Sequence, residues 1–474
     1  MTISLDTKRK IHFVGIGGAG MGGIAEVLLT QGHYISGSDV GDNVVTQRLA
    51  DLGAHIHIGH EGQHVNGAEI VVLSSAIALD NPEWQVAEQK GVIILKRAQM
   101  LALLMQAYKG IAVAGTHGKT TTTSLVASVL AEAGRDPTFV IGGLLKSAGC
   151  NAQLGSSCHF VAEADESDAS FLFLQPEVAV VTNIDADHLC AYDGDFSKLK
   201  STFVEFLHKL PTHGAAVLCG DDPVIVELLP QIQGRVLRYG FGTDNLIRAE
   251  NYQQHEMVAE FTLCDDELKQ KFAVKLALAG RHNVLNALAA YAVGRFYDVD
   301  PQDAIRAFAK FQGVGRRFQL LGDLPVKNGH ISLIDDYGHH PRELQVTIDA
   351  VRQVWPTRRL VMVFQPHRYS RTAELMDYFV TVLAQVDLLI LCEIYPASEE
   401  PIPGITSEVL ASRLTQVAKT PPVFVPHLDE LPTILRQHVK ADDIVLVQGA
   451  GSIGKIARYL ADHPEIFNIK NEVN

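Results

Sequence analysis

A glycine-rich turn between an apolar stretch and a helix-compatible stretch is the part of this sequence best suited to chemistry. Residues 111–123 read I-A-V-A-G-T-H-G-K-T-T-T-T. Glycines at 115 and 118 allow a tight turn whose backbone N–H groups face a phosphate, and the following helix adds its positive N-terminal end. Lys119 can reach the β- and γ-phosphates, and the Thr120 hydroxyl can bind Mg²⁺. This shortened phosphate loop predicts a nucleoside triphosphate site; the alternative is a plain strand-to-helix turn with a solvated lysine.

Two acidic segments could complete that site. Residues 160–167, F-V-A-E-A-D-E-S, place carboxylates just beyond an apolar strand, where Mg²⁺ needs hard oxygen ligands. Glu163 is the best candidate, and the alternative is a solvated acidic loop. The next strand ends in residues 182–188, T-N-I-D-A-D-H. Because the carboxyl ends of adjacent parallel strands meet at one edge, His188 could bind a second cation or orient Glu163.

Imidazoles and guanidinium groups follow two later strands. Residues 332–341 read S-L-I-D-D-Y-G-H-H-P, and residues 364–371 read F-Q-P-H-R-Y-S-R. Two polar rings after two acids favour a binding site over a core histidine. Arg368 and Arg371 suit a carboxylate or phosphoryl oxygens, because a guanidinium group can form bidentate hydrogen bonds.

A G-x-G-x-x-G motif near the N-terminus predicts a second nucleotide site. Gly15, Gly17 and Gly20 follow an apolar strand, and Asp39 stands nineteen residues after Gly20. This spacing is typical of a dinucleotide or nucleotide fold. A Rossmann oxidoreductase is the competing interpretation, although the triphosphate loop favours an enzyme that binds two nucleotides.

Two other motifs are weaker indications of a ligand site. Residues 449–454, G-A-G-S-I-G, repeat the glycine pattern, but only twenty residues follow them, too few for a crossover and an acid-bearing strand. His55 and His57 alternate on a predicted strand, as a metal site would require. No cysteine or carboxylate cluster joins them in the sequence, so a solvated strand face is the favoured interpretation.

The elements that position these residues form an alternating pattern of short apolar strands and amphipathic helices, which predicts an α/β fold with parallel sheets. At 474 residues, and with about 150 residues per domain, the chain should contain three domains. We expect a Rossmann-like domain at 1–107, a central phosphate-loop domain with a parallel sheet at 108–318, and a Rossmann-like α/β domain at 319–474.

Composition excludes several classes of partner. The formal net charge is -14 and no long basic run occurs, which argues against a nucleic-acid or anionic-membrane surface. The sequence contains no uninterrupted apolar run of about 18 residues, the length that would predict a membrane-spanning helix. The six cysteines form no C-x-x-C pair. We therefore expect reduced thiols in a soluble cytoplasmic protein without an export signal.

Taken together, these segments resemble the Mur ligase family, whose members use ATP to add amino acids to the peptidoglycan precursor. The resemblance covers nearly the whole chain. It rests on the following segments: F-V-G-I-G-G-A-G-M at 13–21, S-G-S-D at 36–39, A-G-T-H-G-K-T-T-T at 114–122, E-A-D-E-S-D at 163–168, R-H-N-V-L-N at 281–286, D-D-Y-G-H-H-P at 335–341, F-Q-P-H-R-Y-S-R-T at 364–372 and Q-G-A-G-S at 448–452.

The resemblance implies a reaction and its ligands. ATP and Mg²⁺ (or Mn²⁺) would activate the lactyl carboxylate of UDP-N-acetylmuramate as an acyl phosphate, and L-alanine would then attack it. The first domain would bind the UDP group rather than NAD, the central domain ATP, and the third domain the amino acid. A monomer or a homodimer fits this expectation equally.

The resemblance also assigns residues to roles. The expected catalytic residues are Lys119, Glu163, His188, His339 and Arg371. The expected metal ligands are Thr120, Glu163 and His188. The expected ATP-binding residues are Gly115, Thr116, His117, Gly118, Lys119, Thr120, Thr121, His282, Asn283, Asn286, Arg316 and Asp336. The expected UDP-sugar-binding residues are Gly17, Gly18, Ala19, Gly20, Met21, Ser38, Asp39, His60, Ser74, Ser75 and Arg97. The expected amino-acid-binding residues are Tyr337, His339, His367, Arg368 and Arg371.

Departures from the family pattern and competing functions remain open. The family usually has Pro-Asp-His where this chain has Ala186-Asp187-His188, and an aspartate where Cys190 stands. Phe203 occupies the place of a modified lysine found in some relatives. A recycling ligase that attaches a tripeptide tends to have E-A-D-E-Y-D, whereas this chain has Ser167, which favours the alanine reaction. A nicotinamide-dependent dehydrogenase and a non-catalytic ATP-binding switch are the alternatives from other classes.

Overall fold

The computed structural model describes residues 3–467. Residues 468–474, the end of the predicted third domain, lie outside the described residues, as do residues 1 and 2. The chain divides into two compact units. The first runs to Gln253 and continues in Glu260–Ala277 and His282–Val314; the second comprises Gln254–Ala259, Leu278–Arg281 and the described residues from Gly315 onward.

The first unit begins with a five-stranded parallel sheet in the order β3-β2-β1-β4-β5. Its strands are β1 (Lys10–Val14), β2 (Tyr34–Asp39), β3 (His55–Ile58), β4 (Ile70–Leu73) and β5 (Ile93–Lys96). Its helices are α1 (Ala19–Thr30), α2 (Val44–Asp51), α3 (Pro82–Gln89) and α4 (Arg97–Met105). Local sequence sets several helix starts: the Asn81 side chain accepts from two N–H groups of the first turn of α3, and Pro82 needs no such acceptor.

The same unit contains a ten-stranded sheet in the order β15-β14-β13-β12-β11-β10-β6-β9-β7-β8. Its strands are β6 (Lys109–Ala114), β7 (Thr138–Leu145), β8 (Cys150–Gln153), β9 (His159–Glu163), β10 (Val178–Val181), β11 (Ala215–Cys219), β12 (Arg235–Gly240), β13 (Ile247–His255), β14 (Val258–Asp265) and β15 (Gln270–Leu276). The helices that follow them along the chain are α5 (Lys119–Glu132), α6 (Phe196–Leu207), α7 (Pro223–Leu228), α8 (Arg281–Phe296) and α9 (Pro301–Lys310). The central strands run parallel, and β6 lies between β10 and β9.

The second unit holds a six-stranded sheet in the order β16-β17-β21-β18-β19-β20, in which only β16 runs antiparallel to its neighbour. Its strands are β16 (Gln319–Val326), β17 (Gly329–Asp336), β18 (Leu360–Phe364), β19 (Leu388–Cys392), β20 (Val423–Val425) and β21 (Ile444–Gln448). Its helices are α10 (Pro341–Val354), α11 (Tyr369–Glu374), α12 (Met376–Leu383), α13 (Ser407–Thr415), α14 (Leu431–His438) and α15 (Ile453–Asp462).

Both faces of this third sheet are covered. Along β18, Leu360, Met362 and Phe364 join one apolar cluster, whereas Val361 and Val363 join another. Successive side chains of a strand point to opposite faces, so a strand that is buried on both sides must be apolar throughout. This explains why the strand appears in the sequence as a continuous apolar run.

The structure confirms the α/β fold with three parallel-rich sheets, while the domain boundaries at 107 and 318 stay a prediction. The strands predicted from apolar runs at 11–14, 34–37, 160–162, 178–182, 360–364, 388–391, 423–425 and 444–447 agree to within about two residues, whereas β17, expected from residue 332, starts three residues earlier. Ten strands were not predicted individually, namely β4, β5, β7, β8 and β11–β16. In β13, I-R-A-E-N-Y-Q-Q-H, polar and charged residues alternate with apolar ones, so no apolar run marks the strand.

Within residues 3–467, no helix is both long enough and apolar enough to cross a membrane.

Candidate active site

The glycine-rich turn connects β6 to α5, as expected for a phosphate loop. β6 is buried from Gly110 to Ala114. Gly115 and Gly118 have φ of +120° and +85°, a region that residues with a side chain rarely adopt. A Cβ on Gly115 would also lie 2.2 Å from Thr182 Oγ1. The turn therefore requires glycine for its backbone conformation and for its contact with the neighbouring strand end.

The end of β10 holds the turn in place. Asn183 accepts a hydrogen bond from the His117 N–H through Oδ1 at 2.9 Å and donates from Nδ2 to the His117 carbonyl at 2.9 Å. The Thr182 hydroxyl donates to the same carbonyl at 2.6 Å, and the Asn183 carbonyl accepts from the Thr116 N–H at 3.0 Å. These contacts fix the loop before any ligand binds, which lowers the entropic cost of anion binding.

Lys119 lies at the start of α5 and points back into the turn. Its ammonium donates to the carbonyls of Gly115 and Thr116 at 2.7 and 3.2 Å, and to both carboxylate oxygens of Glu166 at 2.9 Å. Burial lowers the pKa of Lys119, but the carboxylates of Glu166, Asp165 and Glu163 raise it by more, so its net pKa lies above the ordinary value. The ammonium is thus kept charged at the place where a phosphate would bind.

Thr120 and Glu163 meet at the other side of the helix start. The Thr120 hydroxyl donates to Glu163 Oε2 at 3.3 Å, and the Gly142 N–H donates to Glu163 Oε1 at 2.6 Å. A hydroxyl and a carboxylate are hard oxygen ligands of the kind that Mg²⁺ prefers. The two side chains that sequence reasoning selected as metal ligands are therefore adjacent and chemically suited to a divalent cation.

His188 follows β10 and lies next to an acidic residue, Asp187. Its Nε2 lies 3.6 Å from Asp187 Oδ2, and its φ of +56° places it in the left-handed region. The Cys190 thiol, which stands where relatives have aspartate, lies 3.9 Å from the His188 carbonyl. His188 as a second metal ligand stays a prediction.

At the position of the modified lysine of some relatives, Phe203 is fully buried, with its ring centroid 5.2 Å from that of Phe171. An aromatic cluster therefore occupies this position in α6. A charged side chain there would lose its hydration without any compensating partner from these rings.

Helix α8 brings two asparagines to the phosphate-loop helix. The Thr122 hydroxyl donates to Asn286 Oδ1 at 3.1 Å, and Asn286 Nδ2 donates to Asn283 Oδ1 at 3.1 Å. Both asparagines are buried. Burial lowers the pKa of the neighbouring His282 to about 4, so its imidazole is neutral at physiological pH. These contacts place the R-H-N-V-L-N segment beside the first turn of α5, and its contact with nucleotide stays a prediction.

The first glycine motif folds against the acid that ends β2. Asp39 Oδ2 accepts from the Gly17 N–H at 2.8 Å, and the Gly15 N–H donates to the Ser38 carbonyl at 2.8 Å. The Ser38 hydroxyl donates to Glu83 at 2.5 Å and lies 3.0 Å from His60 Nδ1. Two expected UDP-sugar-binding residues, Ser38 and His60, thus contact each other, and a third, Asp39, contacts the glycine turn.

The histidine-rich strand β3 is not a purely solvated face. The rings of His57 and His64 stack with centroids 3.9 Å apart, and His64 Nδ1 lies 2.7 Å from Glu83 Oε1. Burial raises the pKa of Glu83, but the His12 imidazole, with Nε2 3.6 Å away, and hydrogen bonds with Ser38 and His64 lower it by more, to about 2. His55 is exposed, as the favoured sequence interpretation predicts, whereas His57 is half-buried against His64, which in turn contacts the buried Glu83 carboxylate of α3.

Arg97 and the residues after β9 join the two sheets of the first unit. Arg97 Nη2 lies 3.1 Å from Asp165 Oδ2, and a Cβ on Gly20 would lie 3.3 Å from Arg97 Nη1. Asn151 Nδ2 donates to the Ala19 carbonyl at 2.8 Å. The expected UDP-sugar residues Gly20 and Arg97 are therefore in contact. Of the remaining expected residues, Met21 is buried, Ser74 touches Gly15, and Ser75 is exposed.

In the second unit, the side chains expected to bind the amino acid come together after β17 and β18. The ring centroids of His339 and His367 lie 5.3 Å apart, and His339 lies 5.7 Å from Tyr337. Arg371 is buried, with Nη1 3.5 Å from the His367 carbonyl. Burial lowers the pKa of His339 to about 3 and that of His367 to about 4. Arg368 is more exposed, 3.9 Å from Glu399.

Two acids at the end of β17 are already engaged by protein groups. Arg316 Nε lies 3.4 Å from Asp335 Oδ2, and burial raises the pKa of Asp335 to about 6 although Arg316 lowers it. Asp336 accepts from the Phe318 and Gly338 N–H groups and from Gln448, each at 2.8 Å. Asp336 thus orders the start of the polar loop, and its contact with nucleotide stays a prediction.

Several residues of the site were not selected from the sequence. Asn183 and Asp185 contact the phosphate loop, Glu166 contacts Lys119, and Gln448 contacts Asp336. All of them belong to the same motifs as the residues that were predicted. Their positions at the ends of strands could have indicated a role in the site, but their partners depend on which strands are neighbours in the sheet.

Family models of the Mur ligases match three consecutive parts of the chain. The Mur ligase family catalytic domain matches residues 10–109, the Mur ligase middle domain residues 113–294, and the Mur ligase glutamate ligase domain residues 316–451. The chain belongs to the Mur ligase family. It is a peptidoglycan precursor ligase, and members of this family are ATP-dependent amide ligases.

Similar solved structures include ligases with different amino-acid substrates. The UDP-N-acetylmuramate-alanine ligase MurC from Thermotoga maritima has 28% identity over 96% of this chain and 99% of that chain, with a TM-score of 0.82. A UDP-N-acetylmuramate:L-alanyl-γ-D-glutamyl-meso-diaminopimelate ligase from Neisseria meningitides has 28% identity over 65% of this chain and 100% of that chain, with a TM-score of 0.60. A murein peptide ligase from Psychrobacter arcticus has 24% identity over 98% and 99%, with a TM-score of 0.73, and shares the fold.

The role of Asn183 is testable through ATP binding. Asn183→Ala removes two hydrogen bonds to His117, worth about 1 kcal/mol each, so the KM for ATP should rise by up to about thirtyfold while the protein stays folded. Steady-state kinetics with varied ATP measures this. The exposed Asn66→Ala is the control, since Asn66 contacts Lys90 instead. An unchanged KM for ATP in Asn183→Ala would show that the loop keeps its shape without this side chain.

Proposed function

We propose that this chain joins L-alanine to the lactyl carboxylate of UDP-N-acetylmuramate, with cleavage of ATP to ADP and phosphate. The observation that carries the proposal is the contact of the Thr120 hydroxyl with Glu163 directly beside the phosphate loop of Lys119. This site occurs in a chain with 28% identity to a UDP-N-acetylmuramate-alanine ligase over 96% of its length. Ser167 in the acidic segment also favours alanine over a tripeptide. The dehydrogenase and the non-catalytic switch do not agree with the family.

The reaction begins when the lactyl carboxylate attacks the γ-phosphorus of ATP. The bond between the γ-phosphorus and the bridging oxygen breaks, ADP leaves, and an acyl phosphate forms. The Lys119 ammonium and the loop N–H groups offset the negative charge that is shared among the phosphoryl oxygens in the transition state. The carboxylate is activated in this way because it is a poor electrophile by itself.

Alanine then attacks the acyl carbon as the neutral amine. Its nitrogen loses a proton, a tetrahedral intermediate forms, and the carbon–oxygen bond to phosphate breaks to give the amide. We assign the alanine contacts to the residues after β17 and β18, with Arg371 and His339 nearest to the reacting groups. The set is Tyr337, His339, His367, Arg368 and Arg371.

Mg²⁺ (or Mn²⁺), when bound, neutralises phosphate charge and aligns the γ-phosphoryl group. Thr120 and Glu163 would hold it, since their oxygens lie 3.3 Å apart beside the phosphate loop, and His188 would contribute to a second site. The remaining nucleotide contacts are assigned to the loop from Gly115 to Thr121, and to His282, Asn283, Asn286, Arg316 and Asp336.

The UDP-sugar is assigned to the first sheet. The proposed contacts are the turn from Gly17 to Met21 and the residues Ser38, Asp39, His60, Ser74, Ser75 and Arg97. We propose domain boundaries at 107 and 318, so that the UDP-sugar and ATP regions are separate folding elements of the first unit. These boundaries lie close to the end of the first family model, at 109, and to the start of the third, at 316.

Substrate competition tests the proposed function. With ATP and UDP-N-acetylmuramate, kcat/KM for L-alanine should exceed that for L-alanyl-γ-D-glutamyl-meso-diaminopimelate. Glycine and serine should react more slowly than alanine but measurably, since one methyl group discriminates by about 1–3 kcal/mol. Phosphate release and mass spectrometry of the products measure the three reactions. Equal or higher kcat/KM for the tripeptide would assign the chain to the recycling reaction instead.

The metal role of Glu163 predicts a particular kinetic defect. Glu163→Ala should reduce turnover and raise the Mg²⁺ concentration needed for half-maximal rate by at least about tenfold, because one carboxylate ligand is lost. Mg²⁺ titrations at saturating ATP measure this. Glu205→Ala, on the exposed side of α6, is the control. A normal Mg²⁺ dependence with reduced turnover would remove Glu163 from the metal shell.

Arg371 is expected to hold oxyanion charge or the alanine carboxylate. Arg371→Lys keeps the charge but loses the planar bidentate group, so the protein should fold and bind ATP yet lose most of its ligase activity. Arg413→Lys, at an exposed pair with Asp377, is the matched control. If kcat and the KM for alanine both stay within twofold, a change of about 0.4 kcal/mol, Arg371 lies outside the active site.

A further inference from the structure

Protein groups accept hydrogen bonds from all the N–H donors of the Lys119 ammonium. An ammonium group carries three N–H donors. Here they face the carbonyls of Gly115 and Thr116 and the two oxygens of the Glu166 carboxylate, at 2.7 to 3.2 Å. A phosphate that binds to this lysine therefore has to replace one of these acceptors.

Glu166 is the acceptor that most resembles a phosphate. It presents two carboxylate oxygens to the ammonium, whereas the two carbonyls are neutral amide groups that belong to the loop itself. Its side chain is 1% exposed, so water screens the ion pair very little. An anionic ligand and the Glu166 carboxylate would compete for the same ammonium in a place of low dielectric constant.

The protein fixes Glu166 through its backbone. The Tyr192 hydroxyl donates to the Glu166 carbonyl, and the Ala169 N–H donates to it at 3.1 Å. The main chain that carries the carboxylate is thus held by a local turn and by Tyr192, which lies 26 residues further along the chain. The contact with Lys119 is a built feature of the segment after β9.

The two glutamates of this segment have different partners. Glu163 lies against the Thr120 hydroxyl and the Gly142 N–H, whereas Glu166 lies against the Lys119 ammonium. The metal role proposed for Glu163 therefore leaves Glu166 without a function. Asp165 forms a similar pair with Arg97, but with 39% and 25% of the side chains exposed that pair is screened by solvent.

We propose that Glu166 is a positioning residue that holds the Lys119 ammonium in the phosphate loop when nucleotide is absent and gives it up to a phosphate oxygen when nucleotide binds. The inference rests on the proposed function only in that Lys119 binds nucleotide phosphate. The carboxylate keeps the lysine charged and aligned. In exchange, it weakens nucleotide binding, because its contact must be broken first.

The test is ADP affinity, measured by isothermal titration calorimetry without acceptor sugar or amino acid. Glu166→Gln removes the competing charge but keeps the side-chain size, so its Kd for ADP should be at least about threefold lower than that of wild type. Glu166→Asp keeps the charge and should lie closer to wild type. A purely structural role of Glu166 predicts the opposite sign, because a disturbed loop binds nucleotide less tightly.

Glu205→Gln is the matched control, since it makes the same change of net charge at a side chain that is 61% exposed. Its Kd for ADP should equal that of wild type. A Kd of Glu166→Gln that is unchanged or higher overturns the proposal. Absence of ADP binding by the wild-type protein would overturn the proposal together with the proposed function, whereas absence of alanine ligation alone leaves the ADP result decisive.

A structure of the wild-type protein with ADP decides the question if Glu166→Gln does not fold, as judged by circular dichroism. The proposal requires Lys119 Nζ to move beyond hydrogen-bond distance from both Glu166 oxygens and to contact a phosphate oxygen. An intact pair between Lys119 and Glu166 in that complex overturns it.

Discussion

The candidate site depends on one constraint: a turn that offers its N–H groups to a phosphate must have its carbonyl groups satisfied by something else. Here the Thr182 and Asn183 side chains take the His117 carbonyl, and Lys119 takes the carbonyls of Gly115 and Thr116. The donors to these carbonyls come from the end of β10, which lies beside β6, and from Lys119 at the start of α5. The loop can therefore keep an anion-binding conformation without an anion, because hydrogen bonds from neighbouring groups stabilise it.

Strand order determines which chemistry surrounds that loop. Since β6 lies between β10 and β9, the end of β10 supplies the hydrogen-bonding side chains, and the end of β9 supplies the carboxylates. The two strand ends differ in the groups they supply. After β10, the neutral Asn183 amide shapes the loop and Asp185 lies 3.4 Å from His117, whereas Glu163 and Glu166 put carboxylates next to Thr120 and Lys119. A chain with a net charge of -14 can still bind an anion here, because the Lys119 ammonium and the loop N–H groups are concentrated at one place.

The sequence was sufficient for features that depend on neighbours along the chain. The strand, glycine turn and helix around Lys119, and the acid after β9, follow from local pattern. The partners of these residues were not predictable, because the paired Val113 of β6 and Glu163 of β9 are 50 residues apart in the sequence and meet only in the folded sheet. The same reason hid Glu83: its helix α3 follows β4, yet its carboxylate contacts Ser38 of β2 and His64. Resemblance to the Mur ligases supplied residue roles that no local pattern contains.

The division of the chain bears on how amino-acid specificity can change. The side chains proposed to activate the carboxylate, such as Lys119 and Glu163, belong to the first unit, whereas those proposed to bind the amino acid, such as His339 and Arg371, belong to the second. The two groups lie at the ends of strands in different sheets. The sequence features around the phosphate loop and those proposed to select the amino acid therefore occur in separate segments of the chain. This explains why the phosphate loop identifies the class of reaction but not the amino acid that is added.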